Sequence, residues 1–185
     1  MTLSTAQSDA ELLAAFQSGQ EDAFEEFYER HARALLAYLL GMLKDREWAE
    51  EGLQQVFIAL ARRVRDLPPD LQTRLYLFRS ARNWALNAIR GRRRQKRLAE
   101  RYELLARQRS TAPGPEQPLE AAGVRAELNA ALRALSEEER EAILLHTQAE
   151  LTFQEIAHLT EAPLGTVATR YRAGIEKLRR HLRHA

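Results

Sequence analysis

Thr152-Phe-Gln-Glu-Ile-Ala-His-Leu-Thr160, then Glu161-Ala-Pro163, then Leu164-Gly-Thr-Val-Ala-Thr-Arg-Tyr-Arg172 read as a short helix, a tight break and a second helix. This is the layout of a helix-turn-helix. Its packing logic is legible residue by residue. Ala157 is small where two helices cross closely, while Ile156, Leu159, Val167, Tyr171 and Leu178 fill the angle between them. At about 100° per residue, Val167, Tyr171, Gly174 and Leu178 share one face of the second helix. Thr169, Arg172, Ala173 and Glu176 lie opposite, on the face a major groove would meet. Thr166 and the backbone N–H groups at the helix start are placed to hold a phosphate. An ordinary helical hairpin with a solvated Arg-rich face fits the spacing as well.

Outward from that segment, helix starts are marked by capping boxes, in which a Ser or Thr caps and a Glu three residues on reaches back. Ser8 with Glu11, Ser136 with Glu139, and Thr152 with Glu155 form three of them. The first half of the chain predicts helices at 8–18, 21–43, 46–65 and 70–97. The second of these is amphipathic through Phe24, Phe27, Tyr28, Leu35, Leu39 and Met42; the third carries Leu53, Val56, Phe57 and Leu60 on one stripe. Breaks fall at Gly19, near Lys44–Asp45, and at Pro68–Pro69. Ser110-Thr-Ala-Pro-Gly-Pro-Glu-Gln-Pro118 has nothing to bury and reads as a linker. Four shorter helices follow, at 119–134, 137–147, 152–160 and 165–182. The expected fold is all-α: a helical domain over 1–97, a flexible basic and Pro-rich linker over 98–118, and a helix-turn-helix domain over 119–185.

Composition narrows the function. The 185 residues contain no cysteine, which excludes disulfides, thiolate metal sites and thiol catalysis. The five histidines form no HExxH pair, and no Gly-rich phosphate loop appears, so neither a metal, a cofactor nor an enzyme activity is expected. Met1 to Gln7 is polar and unlike a signal peptide. The most apolar stretch, Ala32 to Leu43, is too short to span a bilayer and carries Arg33, so a cytoplasmic protein is expected. The net charge of +2 conceals an asymmetry: residues 1–60 hold eleven acids against four bases, and residues 61–109 hold fifteen bases against four acids. A polyanionic partner is implied for the basic segment.

The longer pattern carries a family resemblance. Leu135-Ser-Glu-Glu-Glu-Arg140, Thr152-Phe-Gln-Glu-Ile-Ala157 and Pro163-Leu-Gly-Thr-Val-Ala-Thr-Arg170 with Lys177-Leu-Arg179 are similar to the last region of bacterial extracytoplasmic-function sigma factors, of the sigma-70 family. The resemblance implies that the final helix reads the −35 promoter element through Thr166, Ala168, Thr169, Arg170 and Arg172. Ala49-Glu-Glu-Gly-Leu-Gln-Gln-Val-Phe57 resembles the family's docking helix for the clamp of core RNA polymerase, which implies contacts by Glu50, Glu51, Gln54 and Phe57. Gly52 stands where the family usually has Leu, at about 1 kcal/mol of helix stability. Tyr76-Leu-Phe-Arg-Ser-Ala-Arg-Asn83 with Asn87 and Arg90 is similar to the helix that captures the melted −10 strand. The resemblance assigns that role to Arg79, Arg82, Asn83, Asn87 and Arg90, and a flipped-base pocket to the loop Asp66 to Gln72. Cationic and amide groups are what such a strand needs. The run at Arg92, Arg93, Arg94, Lys96 and Arg97 would add charge that holds DNA of any sequence. Tyr76 and Trp84 are read as core residues.

The expected function is therefore a sigma factor that binds core RNA polymerase and directs promoter recognition, melting and initiation, with promoter DNA and an anti-sigma factor as further candidate partners. Two other readings use the same residues. One is a stand-alone helix-turn-helix regulator that needs no polymerase. The other is a degenerate sigma-like protein that binds polymerase or an antagonist and does not initiate.

Overall fold

The computed structural model describes residues 7–68, 71–107 and 134–182. Among these the secondary structure is helical throughout: α1 (Asp9–Gln17), α2 (Glu21–Leu43), α3 (Arg46–Arg63), a 3₁₀ turn (Val64–Asp66), α4 (Thr73–Arg107), α5 (Glu137–Thr147), α6 (Phe153–Thr160) and α7 (Leu164–Leu182). The expected helix at 119–134 and most of the linker lie outside the described residues, as do Pro69 and Asp70 of the 66–72 loop.

All three capping boxes form, with Ser8, Ser136 and Thr152 each exchanging bonds with the Glu three residues on. Asp45 adds a fourth N-cap, its carboxylate accepting from the Trp48 N–H at 3.1 Å. The chain turns into it through Lys44, left-handed at φ 57°, whose N–H bonds the Leu40 carbonyl. Such a conformation costs a non-glycine residue about 1–2 kcal/mol, and it sets the α2–α3 corner. Glu161, at φ 54°, makes the same kind of stop at the end of α6.

The fourth helix runs ten residues past its expected end, to Arg107. Residues 98–107 contain neither Gly nor Pro, so nothing local stops a helix that the preceding turns have already nucleated.

Helix α2 is the central element, packed against α1, α3, α4 and α5. Phe27, Leu35, Tyr38 and Leu39 are completely buried along it. In the C-terminal half, α7 packs on both α5 and α6, with Ile156, Leu159 and Val167 in its core. Gly174 lets α7 cross α5 closely, because a Cβ there would stand 2.7 Å from Ile143 Cδ1. Lys177 locks the crossing with both Glu139 carboxylate oxygens at 2.8 Å. The two halves share one apolar core, since Leu145, Ala149 and Leu151 are continuous with the residues buried around α2. Gly41 of α2 seats Leu144 of α5 where a Cβ would stand 2.6 Å from it.

Gly52, a local cost to α3, has a tertiary reason. A Cβ at this position would sit 2.7 Å from Trp84 Cε3, so the glycine makes the bed for the Trp84 ring, which also meets Trp48 at 6.0 Å between centroids. Gly52→Leu should therefore destabilise the protein by about 1–3 kcal/mol through overpacking, despite its better helix propensity. Combining it with Trp84→Ala should give a stabilising interaction energy in a double-mutant cycle of thermal denaturation. Strict additivity of the two changes would show that Gly52 and Trp84 are not coupled.

Candidate nucleic-acid interface

Helix α4 has two polar faces with different fates. At about 100° per residue, Arg79, Asn83, Asn87, Arg90, Arg94 and Arg97 fall within about a quarter-turn of one another, and every one of them is exposed. Asn87 accepts a hydrogen bond from Arg90 at 3.3 Å. This stripe gathers four of the five residues expected to meet the melted strand.

Arg82 is the exception. It lies on the neighbouring face, where α5 packs. Its Nε donates to Glu141 Oε1 at 2.9 Å and its Nη2 donates to Oε2 at 3.4 Å. Only 19% of the Arg82 side chain and 8% of the Glu141 side chain remain accessible. Tyr38, fully buried, donates its hydroxyl to the same Glu141 oxygen at 3.4 Å; burial, with the Glu141 charge second, pushes its phenol well above the ordinary value. Removing one member of such a pair strands a desolvated charge, at about 3–5 kcal/mol. Glu141 and Tyr38 were not among the residues singled out in the sequence, because each acquires its role from partners 59 and 103 positions away.

The basic run is divided in the same manner. Arg92 bonds Asp45 at 2.7 Å and its guanidinium lies 4.4 Å from the Trp48 ring centroid, so it braces α4 against the start of α3. These bonds, after that of the Trp48 N–H, hold the Asp45 carboxyl below its ordinary value. Arg93 pairs with Glu137 of α5. Arg94, Lys96 and Arg97 are exposed, with Lys96 within 3.9 Å of Glu100. Arg90, Arg93, Arg94, Arg97 and Arg101 line a shallow cleft of about 350 Å³.

On α7, Thr169 and Arg172 are exposed, whereas Thr166, Ala168 and Arg170 are half-buried. Thr169 donates its hydroxyl to the Gly165 carbonyl at 2.8 Å, which leaves the oxygen free to accept only. Arg170 stands close enough to Glu138 to help lower that carboxyl, after hydrogen bonds to the Glu138 N–H and to Ser136. The Pro163 carbonyl accepts from Thr166 N–H and Val167 N–H, opening the helix towards the exposed side.

On α3, Glu51 and Gln54 are exposed, and Glu50 accepts from Arg46 at 2.7 Å. Phe57 is only 4% exposed; its ring sits 4.6 Å from Tyr28 and edge-on to Phe24 at 6.1 Å. It forms the floor of a groove of about 800 Å³, walled by Tyr28, Leu36, Gln54 and Ile58.

These placements separate bracing from binding charges. Arg92→Ala should lower the melting temperature, through a loss of about 1 kcal/mol. Arg94→Ala should leave it unchanged, weaken binding to all DNA sequences alike, and flatten the salt slope by about one unit. Equal thermal stability of the two variants would contradict the division.

Comparison with known proteins agrees with this layout. Residues 27–95 match sigma-70 region 2, and residues 125–178 match sigma-70 region 4. The RNA polymerase sigma factor CarQ of Myxococcus xanthus is 32% identical over 89% of this chain and 91% of its own length. The ECF RNA polymerase sigma factor SigE of Mycolicibacterium smegmatis is 30% identical over 86% of this chain and 62% of its own. Among solved structures, CnrH, determined in complex with the cytosolic domain of CnrY, shares the fold with a TM-score of 0.67, at 24% identity over 96% of this chain and 99% of that one. The chain belongs to the sigma-70 family of RNA polymerase sigma factors, in its extracytoplasmic-function group.

Proposed function

We propose that this chain binds core RNA polymerase and directs promoter recognition, melting and initiation, with residues 1–97 as the polymerase and −10 module and residues 119–185 as the −35 module. One observation carries the reading beyond family membership. The chain displays two separate exposed polar faces, the Arg79–Asn83–Asn87–Arg90 stripe on α4 and the Thr169–Arg172 face on α7. The first suits a splayed single strand, where amides and guanidiniums bond bases and phosphates. The second suits a major groove, which a helix can enter. The groove over Phe57, rimmed by Glu50, Glu51 and Gln54, would receive an amphipathic partner helix of the polymerase. An anti-sigma factor stands as a further candidate partner. No helix among the described residues is long and apolar enough to cross a membrane.

Run-off transcription with purified core polymerase on a genomic promoter library is the test of the function. Transcripts that depend on the chain are expected. Their complete absence, with polymerase binding intact, would favour a protein that binds polymerase without initiating. DNA binding that needs no polymerase would favour a stand-alone regulator.

Within that reading the α3 groove should be separable from the fold. Gln54→Ala, exposed and without structural duty, should weaken capture of core polymerase while leaving helicity and melting temperature unchanged. Undiminished pull-down by the folded variant would remove Gln54 from the interface.

Readout and positioning should also separate on α7. Arg172 projects outward, where a guanidinium can pair with a guanine edge, whereas Arg170 is half-buried at the flank and nearer to a phosphate role. Arg172→Ala should change the −35 sequence selected and cost about 1–3 kcal/mol at one base pair. Arg170→Ala should weaken all sequences about equally. Binding-site selection with both variants decides; an unchanged motif and affinity for Arg172→Ala would show that residue to be a solvated bystander.

A further inference from the structure

Helix α1 ends against the root of the loop that joins α3 to α4. Gln17, its last residue, donates its side-chain Nε2–H to the Val64 carbonyl, 47 positions away. Val64 opens the 3₁₀ turn from which the loop departs, and its carbonyl also accepts from the Leu67 N–H at 3.4 Å. The donor is held in place. The N–H groups of Ser18, Gly19 and Gln20 bond back to the carbonyls of Ala14, Ala15 and Phe16 at 3.0–3.1 Å. Phe16 rests on Phe24 of α2, 4.6 Å between centroids, and at the far end of α1 Asp9 bonds Arg30 and His31, each at 2.9 Å. The loop is held less firmly. A cavity of about 350 Å³ separates it from α1, lined by Leu13, Ala14, Leu67, Pro68 and Leu71. Asp66, Pro68 and Gln72 are exposed, and Leu67 and Leu71 are only half-buried.

We infer that Gln17 is a positioning residue for −10 recognition: its amide fixes where the loop leaves the 3₁₀ turn, and with it the base that the loop accepts. This rests on the reading of that loop as the pocket for a flipped base of the melted strand. Gln17 acts on the loop and not on DNA. With a cavity beneath the loop in place of packed side chains, apolar contact alone leaves its path loosely specified. The bond from a clamped helix supplies the missing constraint. A loop displaced at its root loses discrimination before it loses affinity. Selecting one base requires polar groups aligned with its edge, whereas the guanidiniums along α4 hold phosphates whatever the base.

Gln17 is exposed, so substitutions there leave the core alone and can separate the donor from side-chain bulk. Gln17→Glu keeps the shape, loses the donor and sets a carboxylate against the Val64 carbonyl. Gln17→Lys returns an N–H donor of similar reach. Holoenzyme reconstituted from core polymerase and the full-length chain is titrated with fluorescent single-stranded −10 oligonucleotides, carrying each of the four bases at every position in turn. The Gln17→Glu protein should lose base preference at one position by about fivefold. Preferences at the other positions, helicity and capture by core polymerase should stay as in the wild type, and Gln17→Lys should recover most of the loss. Unchanged preferences in Gln17→Glu would overturn the proposal. An equal weakening at every position, or a Gln17→Lys protein as impaired as Gln17→Glu, would do so too, because either would make the residue a general support. Failure of the underlying loop reading has a different signature: Asp66→Ala with Gln72→Ala would then keep every base preference. If only the role of Gln17 fails, that loop variant loses a preference which Gln17→Glu retains.

Discussion

The burial of Arg82 against Glu141 is the interaction on which the arrangement of the molecule turns. An arginine on the helix proposed to capture the melted strand is held by a carboxylate of the chain itself, beneath a buried tyrosine hydroxyl. Ion pairs this desolvated contribute little net stability against apolar alternatives, but breaking one partner away is costly. Their usefulness is specificity of arrangement. Here the pair ties α5 to α4 alongside the apolar contacts of Leu144 on Gly41 and of Leu145 in the shared core.

A second constraint is that α4 must be a structural beam while it carries the polar stripe to which the proposed function assigns the melted strand. Leu77, Phe78, Ala81 and Ala85 bury one face into the N-terminal core. Arg92 is spent on Trp48 and Asp45, which keeps the long helix from swinging away from α3. The stripe from Arg79 to Arg97 is left to solvent. Of the surplus of about eleven positive charges in residues 61–109, several are neutralised within the chain and are not available to a polyanion.

Much of the fold is legible in the sequence because its signals are local. Capping boxes act over three residues, and Ser8, Ser136 and Thr152 all do what their spacing predicts. The helix-turn-helix is equally local: Val167 and Gly174 are buried, and Thr169 and Arg172 exposed, as the periodicity requires. What the sequence hides is long-range. Gly52 reads as a weak point in α3 until Trp84 arrives from 32 positions on. Arg82 and Arg92 are indistinguishable from Arg79 and Arg94 by composition, and only tertiary partners tell a bracing arginine from an available one. The extra turns of α4 were hidden for the opposite reason: the linker's Pro and Gly begin only at Pro113, and a charged helix of residues 98–107 looks like a tether when no face of it needs burying.

In the proposed function, the polar face of α4 holds the melted strand once polymerase has engaged. Permanganate footprinting of promoter DNA with holoenzyme reconstituted from this chain measures that most directly. Reactive thymines in the −10 region should appear with the wild-type chain and fade when Asn83 and Arg90, both exposed on that face, are changed to Ala, while polymerase binding persists. Equal thymine reactivity with the folded double variant would contradict the claim.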